Sequence, residues 1–353
     1  MERIVCLFEI DGSQKSGSGT ILRLAVALAA IKSEPLHITN IRQNRPQPGL
    51  KPQHLESVLT AAKLCNAEVE GAHLNSRELW FKPKAIEGSL VEAEIGTAGS
   101  IPMLFMATLP ICLFAKEPFK LHVSKGGTDT THAPTINYLR NVFLRALRSM
   151  GANAEISVQK YGYYPKGMGE ATLAVQPAVK LQAVRLENAG KSRSVKGISV
   201  CTFLSDRKVA ERQAKAAMET LAQKGYSADI QIVNDMSNTI QKGSSITLWA
   251  ETEANAIVGG DAIGELKKPA EVVGKEAAEK LMAELMAGAT VDTHLADMLI
   301  PYAALAKGAS IYLTRDLSEH LEANIWLTKK MLGADFKVTR VGALYRIEKR
   351  AES

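Results

Sequence analysis

The sequence predicts a mixed α/β fold, in the α/β or α+β class, with three tandem α/β units and a smaller inserted α/β segment. Hydrophobic residues make up 46% of the 353-residue chain and charged residues 23%, the mix of an ordinary globular protein. One order of apolar helix, strand, second helix and further strands occurs three times. A stretch at roughly residues 186–287 breaks that spacing, which indicates an insertion.

Each unit is predicted to begin with an apolar helix at a Gly- or Asp-marked boundary, followed by a strand. Helical spacing of apolar residues indicates the helices, and β-branched alternation indicates the strands. The three helix-plus-strand pairs fall within residues 17–38, 98–123 and 294–313.

A second helix and further strands complete each unit. The second helices are predicted at residues 52–64, 134–150 and 320–332. The strands that follow them are predicted at residues 67–70, 154–158 and 336–338. Three copies in one order favour a single domain of tandem units, made of residues 1–185 and 288–353.

The stretch between the second and third units is predicted to be a smaller α/β domain, residues 186–287. It begins with a polar linker at residues 187–193, a composition typical of domain joints. Its own strand–helix–strand pattern follows, and a long helix at residues 269–286 leads back to the third unit.

Charge and cysteine content restrict the class of protein. The 43 basic and 37 acidic residues give a net charge of +6, a mild lean toward anionic partners such as nucleic acid or nucleotides. Four separated cysteines predict buried, reduced thiols. No secretory leader is recognised, and the most apolar window, residues 101–115, contains two prolines and is too short to span a bilayer. We therefore expect a cytoplasmic protein that does not cross a membrane.

Histidine offers one candidate nucleophile. No two of the seven histidines have the i, i+4 spacing of a zinc-binding helix. His320 falls at the predicted start of a helix, where backbone N–H groups disfavour a protonated imidazole. A neutral imidazole can attack phosphorus, although a histidine near a helix start is also common without any catalytic role.

Candidate phosphate ligands lie in polar loops. Arg42, Arg45 and Lys51 belong to one Pro/Gly-rich loop, where guanidinium groups suit phosphate oxygens but could equally be solvated. Glycine-rich stretches could be ordinary turns or could line a phosphate site with backbone amides. None has the spacing of a Walker loop or a dinucleotide fingerprint. These stretches lie at residues 12–19, 124–129, 162–169 and 258–261.

A series of segments in order resembles the RNA 3'-terminal phosphate cyclase family, especially its archaeal-type members, over essentially the whole chain. The segments are Asp11-Gly-Ser-Gln, Gly17-Ser-Gly-Thr-Ile-Leu-Arg, Ile41-Arg-Gln-Asn-Arg-Pro-Gln-Pro-Gly-Leu-Lys-Pro-Gln-His, Ile95-Gly-Thr-Ala-Gly-Ser, Gly126-Gly-Thr-Asp, Gly162-Tyr-Tyr-Pro-Lys-Gly, His294-Leu-Ala-Asp and His320 with Asn324.

The resemblance implies a reaction in which ATP adenylates a histidine, AMP passes to an RNA 3'-terminal phosphate, and the 2'-hydroxyl displaces AMP to give a 2',3'-cyclic phosphate. His320 would be the nucleophile, and a divalent metal, Mg²⁺ or Mn²⁺, would accompany ATP. Asp297 would orient the imidazole or help hold the metal. The adenylate would be bound by His294, Leu295, Ala296, Asp297, Met298 and Met106. The phosphates and the RNA end would be bound by Arg23, Arg42, Arg45 and Gln53.

Four positions depart from the family pattern. Ser16 replaces a glutamate, Met106 and Met298 replace glutamines, and Ala323 replaces a threonine. These changes keep open a second hypothesis, a catalytically impaired RNA-binding or ribosome-assembly factor of the same fold. A more distant hypothesis is a small-molecule transferase, because enolpyruvyl transferases look like assemblies of similar repeats. The metal ligands, the RNA sequence and the oligomeric state stay open.

Overall fold

The computed structural model describes residues 6–87, 90–178 and 180–351, and it confirms a mixed α/β fold. The first unit forms a four-stranded sheet in the order β1-β2-β4-β3, in which β1 and β2 are parallel. Its first helix begins after Ser18, whose hydroxyl accepts a hydrogen bond from the Thr20 amide. The elements are β1 (Phe8–Asp11), α1 (Gly19–Lys32), β2 (Leu36–Thr39), α2 (Pro52–Cys65), β3 (Glu68–Glu70) and β4 (Leu79–Lys82).

The second unit repeats this plan in the sheet order β5-β6-β8-β7. Its predicted second helix is interrupted by a π-helical stretch, Leu139–Phe143. Within that stretch the Asn141 side chain donates to the carbonyl oxygen of Asn137, an acceptor that regular helical bonding would use. The elements are β5 (Leu90–Glu94), α3 (Ile101–Leu113), β6 (Phe119–Gly126), α4 (Ile136–Tyr138), α5 (Leu144–Ser149), β7 (Asn153–Lys160) and β8 (Gly169–Gln176).

The inserted segment forms its own sheet, β10-β9-β11-β12, with α6 and α7 packed on it. The interpretation of residues 258–261 as a glycine loop is wrong, because they lie within β12. Glycine is needed there for packing, since a Cβ on Gly259 would contact Tyr138 and one on Gly260 would contact α7. The elements are β9 (Ser192–Thr202), α6 (Val209–Ala222), β10 (Ala228–Asp235), β11 (Gly243–Thr252), β12 (Ile257–Ile263) and α7 (Ala270–Ala287).

The third unit has the sheet order β13-β15-β14 and a parallel neighbour from before the insertion. The Ile311 amide donates to the Val184 carbonyl (2.7 Å), and the Leu186 amide donates to the Ile311 carbonyl (2.8 Å). Residues just ahead of the inserted segment therefore occupy the place that β1 has beside β2. The elements are α8 (Thr293–Leu305), β13 (Ser310–Thr314), α9 (Glu319–Leu332), β14 (Phe336–Val341) and β15 (Leu344–Lys349).

A buried carboxylate joins the inserted segment to the second and third units. Asp292 caps α8 by accepting from the His294 and Leu295 amides (3.0 Å each). It also accepts from the Tyr138 hydroxyl (2.6 Å) and the Gly259 amide (2.8 Å). This joint fixes α8 relative to β12, although the division into domains of residues 1–185 plus 288–353 and 186–287 stays a prediction.

Two other predictions concern the environment of the chain. Cys65, Cys112 and Cys201 are buried free thiols, but Cys6 is exposed ahead of β1, so the prediction of burial is wrong for Cys6. Among the described residues, no helix combines the length and apolar character needed to cross a membrane. The prediction that residues 1–12 are not a secretory leader falls partly on residues 1–5, which lie outside the described residues.

Candidate active site

A cavity of about 450 Å³ lies where the first helices of the three units meet α9. Six of the predicted site residues line it: Arg23, Met106, His294, Asp297, Met298 and His320. Leu295 and Ala296 are instead buried in the body of α8, and Arg42, Arg45 and Gln53 are outside the cavity lining. The structure thus brings together residues from all three units.

His320 lies in the first turn of α9 and faces α1. The helix begins after Ser318, whose hydroxyl accepts from the Leu321 amide at 3.0 Å. The His320 Nδ1 atom lies 3.3 Å from the Thr20 hydroxyl. This contact leaves Nε2 as the ring nitrogen without a protein partner among the described residues.

The His320 imidazole is disposed to be neutral near pH 7. Its pKa is lowered first by loss of surrounding water and then by the positive charges of Arg23 and Arg45, while Glu319 opposes the shift. The direction of this shift agrees with the sequence prediction, and burial makes the largest contribution to it. A neutral ring retains the lone pair that a nucleophile needs.

Asp297 supports the start of α9 rather than touching His320 directly. Its Oδ2 atom accepts from the Ser318 hydroxyl (3.0 Å), and its backbone carbonyl accepts from the Asn324 side chain (2.9 Å). Burial raises the pKa of Asp297, against the influence of His294 and Ser318. These contacts hold the first turn of α9, and with it His320, against α8.

Arg23 is a buried cation on α1, with only 9% of its surface exposed. Burial, followed by the charge of Arg42, lowers the pKa of Arg23 to about 10. Its Nη2 atom donates to Thr20 at 3.4 Å, and it forms no ion pair within the part of the chain that the structure describes. A buried guanidinium without a carboxylate partner is well suited to an anionic ligand.

The other predicted phosphate ligands have structural contacts. Arg42 Nη1 donates to the carbonyl oxygens of Gln47 (2.9 Å) and Gly49 (2.7 Å) and so stabilises its own loop. Gln53 Oε1 accepts from the Ser100 amide (3.0 Å) at the start of α3. Arg45 Nη2 approaches the Ser16 carbonyl at 3.4 Å. Their phosphate-binding roles stay predictions.

Three of the four departures from the family pattern lie in or beside the cavity. Met106 and Met298 line it, and they present thioethers where glutamines would offer hydrogen bonds. Ser16 Oγ is 2.9 Å from Ser18 Oγ, next to the start of α1. Ala323 is buried within α9.

Several lining residues were not singled out from the sequence. Thr20, His132, Asp261 and Lys280 all line the cavity, and the last two come from the inserted segment. Asp261 belongs to the glycine-rich stretch 258–261, but only the fold shows that β12 and α7 bring Asp261 and Lys280 to the cavity.

His54 is another group that the sequence reasoning did not assign. It lies in the first turn of α2, and its Nδ1 atom accepts from the Lys51 amide at 3.4 Å. Burial, followed by the charges of Arg23, Arg42 and Lys51, lowers its pKa to about 2. Its ring packs over Gly19, where any side chain would collide with it. The glycine in the first turn of α1 is the only sequence signal of this contact.

We expect His54 to make the fold sensitive to acid. The unfolded chain takes up a proton near pH 6.5, whereas the folded state does so only near pH 2, so protonation favours unfolding between these values. The contribution is fully present above pH 6.5 and falls by about 1.4 kcal/mol per pH unit below it.

His54→Asn keeps an acceptor for the Lys51 amide but removes the titration. Urea unfolding at pH 7 and pH 5 should therefore show a smaller acid-induced loss in the variant, by about 2 kcal/mol. Asp129 and Asp297, whose raised pKa values act in the opposite direction, are common to both proteins. Equal pH dependence in the two proteins would contradict a neutral buried His54.

Comparison with known proteins places the chain in a family. The family model described as RNA 3'-terminal phosphate cyclase matches residues 14–338. A protein named RNA 3'-terminal phosphate cyclase from Pyrobaculum neutrophilum is 46% identical over 339 residues, which cover 96% of this chain and 97% of that protein. A protein of the same name from Methanosarcina barkeri is 43% identical over 341 residues, covering 97% and 99%. This chain belongs to the RNA 3'-terminal phosphate cyclase family.

Proposed function

We propose that this protein uses ATP to convert an RNA 3'-terminal phosphate into a 2',3'-cyclic phosphate, through AMP bound covalently to His320. The observation that supports this most directly is the pairing of a neutral His320 with a buried Arg23 that lacks a carboxylate partner. A nucleophile for phosphorus and a cation for phosphate thus face one cavity. Membership of the family, and the names of its relatives, support the same reaction.

The first proposed step forms the covalent intermediate. His320 Nε2 attacks the α-phosphorus of ATP, the N–P bond forms, and the bond to the diphosphate oxygen breaks, so that diphosphate leaves with the electron pair. Nδ1, which lies beside the Thr20 hydroxyl, keeps the ring in one orientation. Arg23 would stabilise the charge that develops on the phosphate oxygens.

Two further steps consume the intermediate. An oxygen of the RNA 3'-phosphate attacks the adenylate phosphorus, and the N–P bond breaks to restore neutral His320. The adjacent 2'-hydroxyl then attacks the RNA phosphorus, gives up its proton, and displaces AMP to close the cyclic phosphate. Dividing the transfer in this way is the usual benefit of covalent catalysis.

The remaining residues would bind the two substrates. The first turn of α8 and the facing part of α3 would hold the adenylate, with His294, Asp297, Met298 and Met106 at the cavity wall. The proposed set also includes Leu295 and Ala296, whose contribution would be through the backbone and packing of α8. Arg23, Arg42, Arg45 and Gln53 would face the phosphates and the RNA end.

A divalent cation remains part of the proposal as a companion of ATP. Among the described residues, no group of three or more His, Cys, Asp or Glu side chains could hold a metal ion. The residues therefore do not fit a metal site made by protein alone. Mg²⁺ commonly binds substrate phosphates together with one or two carboxylates, and the cavity contains two, Asp261 and Asp297.

The competing function, RNA binding without catalysis, is favoured by Met106 and Met298. Both present apolar side chains to the cavity where hydrogen-bonding groups would help to hold a nucleotide. In that case the cavity would bind RNA ends or stabilise the fold, and His320 would not react.

We expect the wild-type protein to convert the 3'-terminal phosphate of an RNA oligonucleotide into a cyclic phosphate, which phosphatase cannot remove. The reaction should require ATP and Mg²⁺ or Mn²⁺, and the product should become linear again after acid treatment. An RNA ending in a 3'-hydroxyl is the matched control. Folded protein that binds the RNA but leaves its phosphate removable would refute the cyclase and favour the binding factor.

A further inference from the structure

We propose that Tyr164, Lys166 and Lys242 form a platform that stacks a base of the RNA upstream of its 3'-terminal phosphate. The identity of the ligand rests on the proposed function, whereas the surface itself is defined by the geometry of two loops. We call this surface the Tyr164 platform.

Tyr164 differs from its aromatic neighbours in exposure. It is 75% exposed, while Tyr161 and Tyr163 are 8% and 4% exposed. The Tyr163 ring packs against Gly243, and its hydroxyl accepts from Thr202 at 3.3 Å. Tyr163 therefore anchors the turn, and the neighbouring Tyr164 ring remains open to solvent. Most of the Tyr164 ring is therefore accessible to a ligand.

The turn that carries Tyr164 is held in one conformation. The Asn238 side chain, 1% exposed, donates to the carbonyl oxygens of Tyr161 (2.7 Å) and Gly167 (3.1 Å). The Gly167 amide donates to the Tyr163 carbonyl at 2.7 Å, and the Lys166 amide donates to the Gln241 side chain at 3.3 Å. A ring presented by a preorganised turn loses little conformational freedom on binding.

The chemistry of the platform suits single-stranded nucleic acid. Lys166 and Lys242 are exposed, and neither forms an ion pair with any of the described residues. Met236 and Ile240, on the same loop as Asn238, are also exposed, at 59% and 53%. Aromatic rings that stack on bases, with cations for the backbone, are how proteins bind single strands without reading their sequence.

Internal packing links the turn that carries Tyr164 to the start of α1. Gly167 packs on the backbone of Thr97, since a Cβ there would lie 2.8 Å from the Thr97 carbonyl oxygen. Gly99, in the same loop as Thr97, packs on the Gln53 side chain, since a Cβ at Gly99 would lie 3.0 Å from the Gln53 Cβ. Gln53 precedes His54, whose ring covers Gly19 at the start of α1.

The test measures, in the absence of ATP, the binding of a labelled RNA of about six nucleotides with a 3'-phosphate. Fluorescence anisotropy of the label gives the dissociation constant. Tyr164→Ala should raise the dissociation constant on the order of 10-fold, while Tyr164→Phe, which keeps the ring, should stay near wild type. Val341→Ala, at a site 51% exposed in the β14–β15 hairpin, is the matched control. A dinucleotide 3'-phosphate, which lacks the upstream bases of the longer RNA, should bind Tyr164→Ala and wild type equally.

Lysine variants test the electrostatic part. Lys166→Ala should weaken binding and reduce its salt dependence, whereas Lys116→Ala, beyond the far end of α3, should do neither. Unchanged affinity in Tyr164→Ala, or an equal loss in Tyr164→Phe, would overturn the stacking role. AMP capture is measured in parallel and should be the same in Tyr164→Ala and wild type. A wild type that captures no AMP would refute the proposed function, while the anisotropy series would still decide the platform.

Discussion

His320→Ala is expected to abolish covalent AMP capture, because it removes Nε2, the proposed attacking atom, from a ring whose Nδ1 lies 3.3 Å from the Thr20 hydroxyl. Incubation with ATP and Mg²⁺ should add the mass of one adenylyl group to the wild-type protein and nothing to the variant. A residual capture rate below about one-thousandth of wild type would still agree with a nucleophile, since removing such a group typically costs that much or more. Intact-protein mass spectrometry measures both proteins directly.

The control is His73→Ala, which removes an exposed histidine from a turn and should capture AMP normally. RNA affinity should be nearly intact in His320→Ala, because Arg23 and the loop of Arg42 and Arg45 remain. In wild type, capture should persist below pH 6.5, since the pKa of His320 is lowered. Adenylation of the variant at the wild-type rate would assign the nucleophile elsewhere.

The architecture was predictable where local sequence patterns and the fold coincide. The apolar helices of the three units, the long helix α7 and the start of α9 all follow from helical periodicity, and the structure adds the capping residues Ser18 and Ser318. Strand β12 was missed because Gly259 and Gly260 are typical of turns. Their role in β12 depends on Tyr138 and α7, which are distant in sequence.

The site likewise contains residues that the sequence implied and contacts that it could not show. A resemblance in sequence implied His320 and Arg23, and both face one cavity. Two features could not be predicted: the hydrogen bond between Asp297 and Ser318 at the start of α9, and the burial of His54. Each depends on the packing of elements that are distant in sequence. The sequence pattern also could not show that Arg42 binds the carbonyls of its own loop.

Arg23→Met is expected to stabilise the ligand-free fold while removing its response to phosphate. The guanidinium is buried beside neutral His54 and near Arg42, without a carboxylate partner among the described residues. Replacing a buried charge by an apolar side chain of similar size is often stabilising, so we expect a gain of about 1 to 3 kcal/mol in the free energy of unfolding. Urea unfolding without nucleotide measures this gain.

Binding of a phosphate ligand should stabilise wild type but not Arg23→Met, and so offset the stability advantage of the variant. Inorganic triphosphate should raise the melting temperature of wild type, because a ligand that binds only the folded state stabilises it, and the same addition should leave Arg23→Met nearly unchanged. AMP capture should fall on the order of 100-fold in the variant, the usual loss when one donor to a developing negative charge is removed. Arg148→Met, at an exposed arginine on α5, should match wild type in all three measurements.

The combination of outcomes separates a ligand-binding cation from a structural one. A structural Arg23 would make the variant less stable and leave its response to triphosphate intact, because the anion would then be held by other groups. An Arg23 that binds phosphate instead lowers the stability of the ligand-free protein and raises it when the anion is bound. Burial and the charges of Arg23 and Arg45 lower the pKa of His320, so Arg23 would both help to keep the nucleophile neutral and hold the phosphate that it attacks.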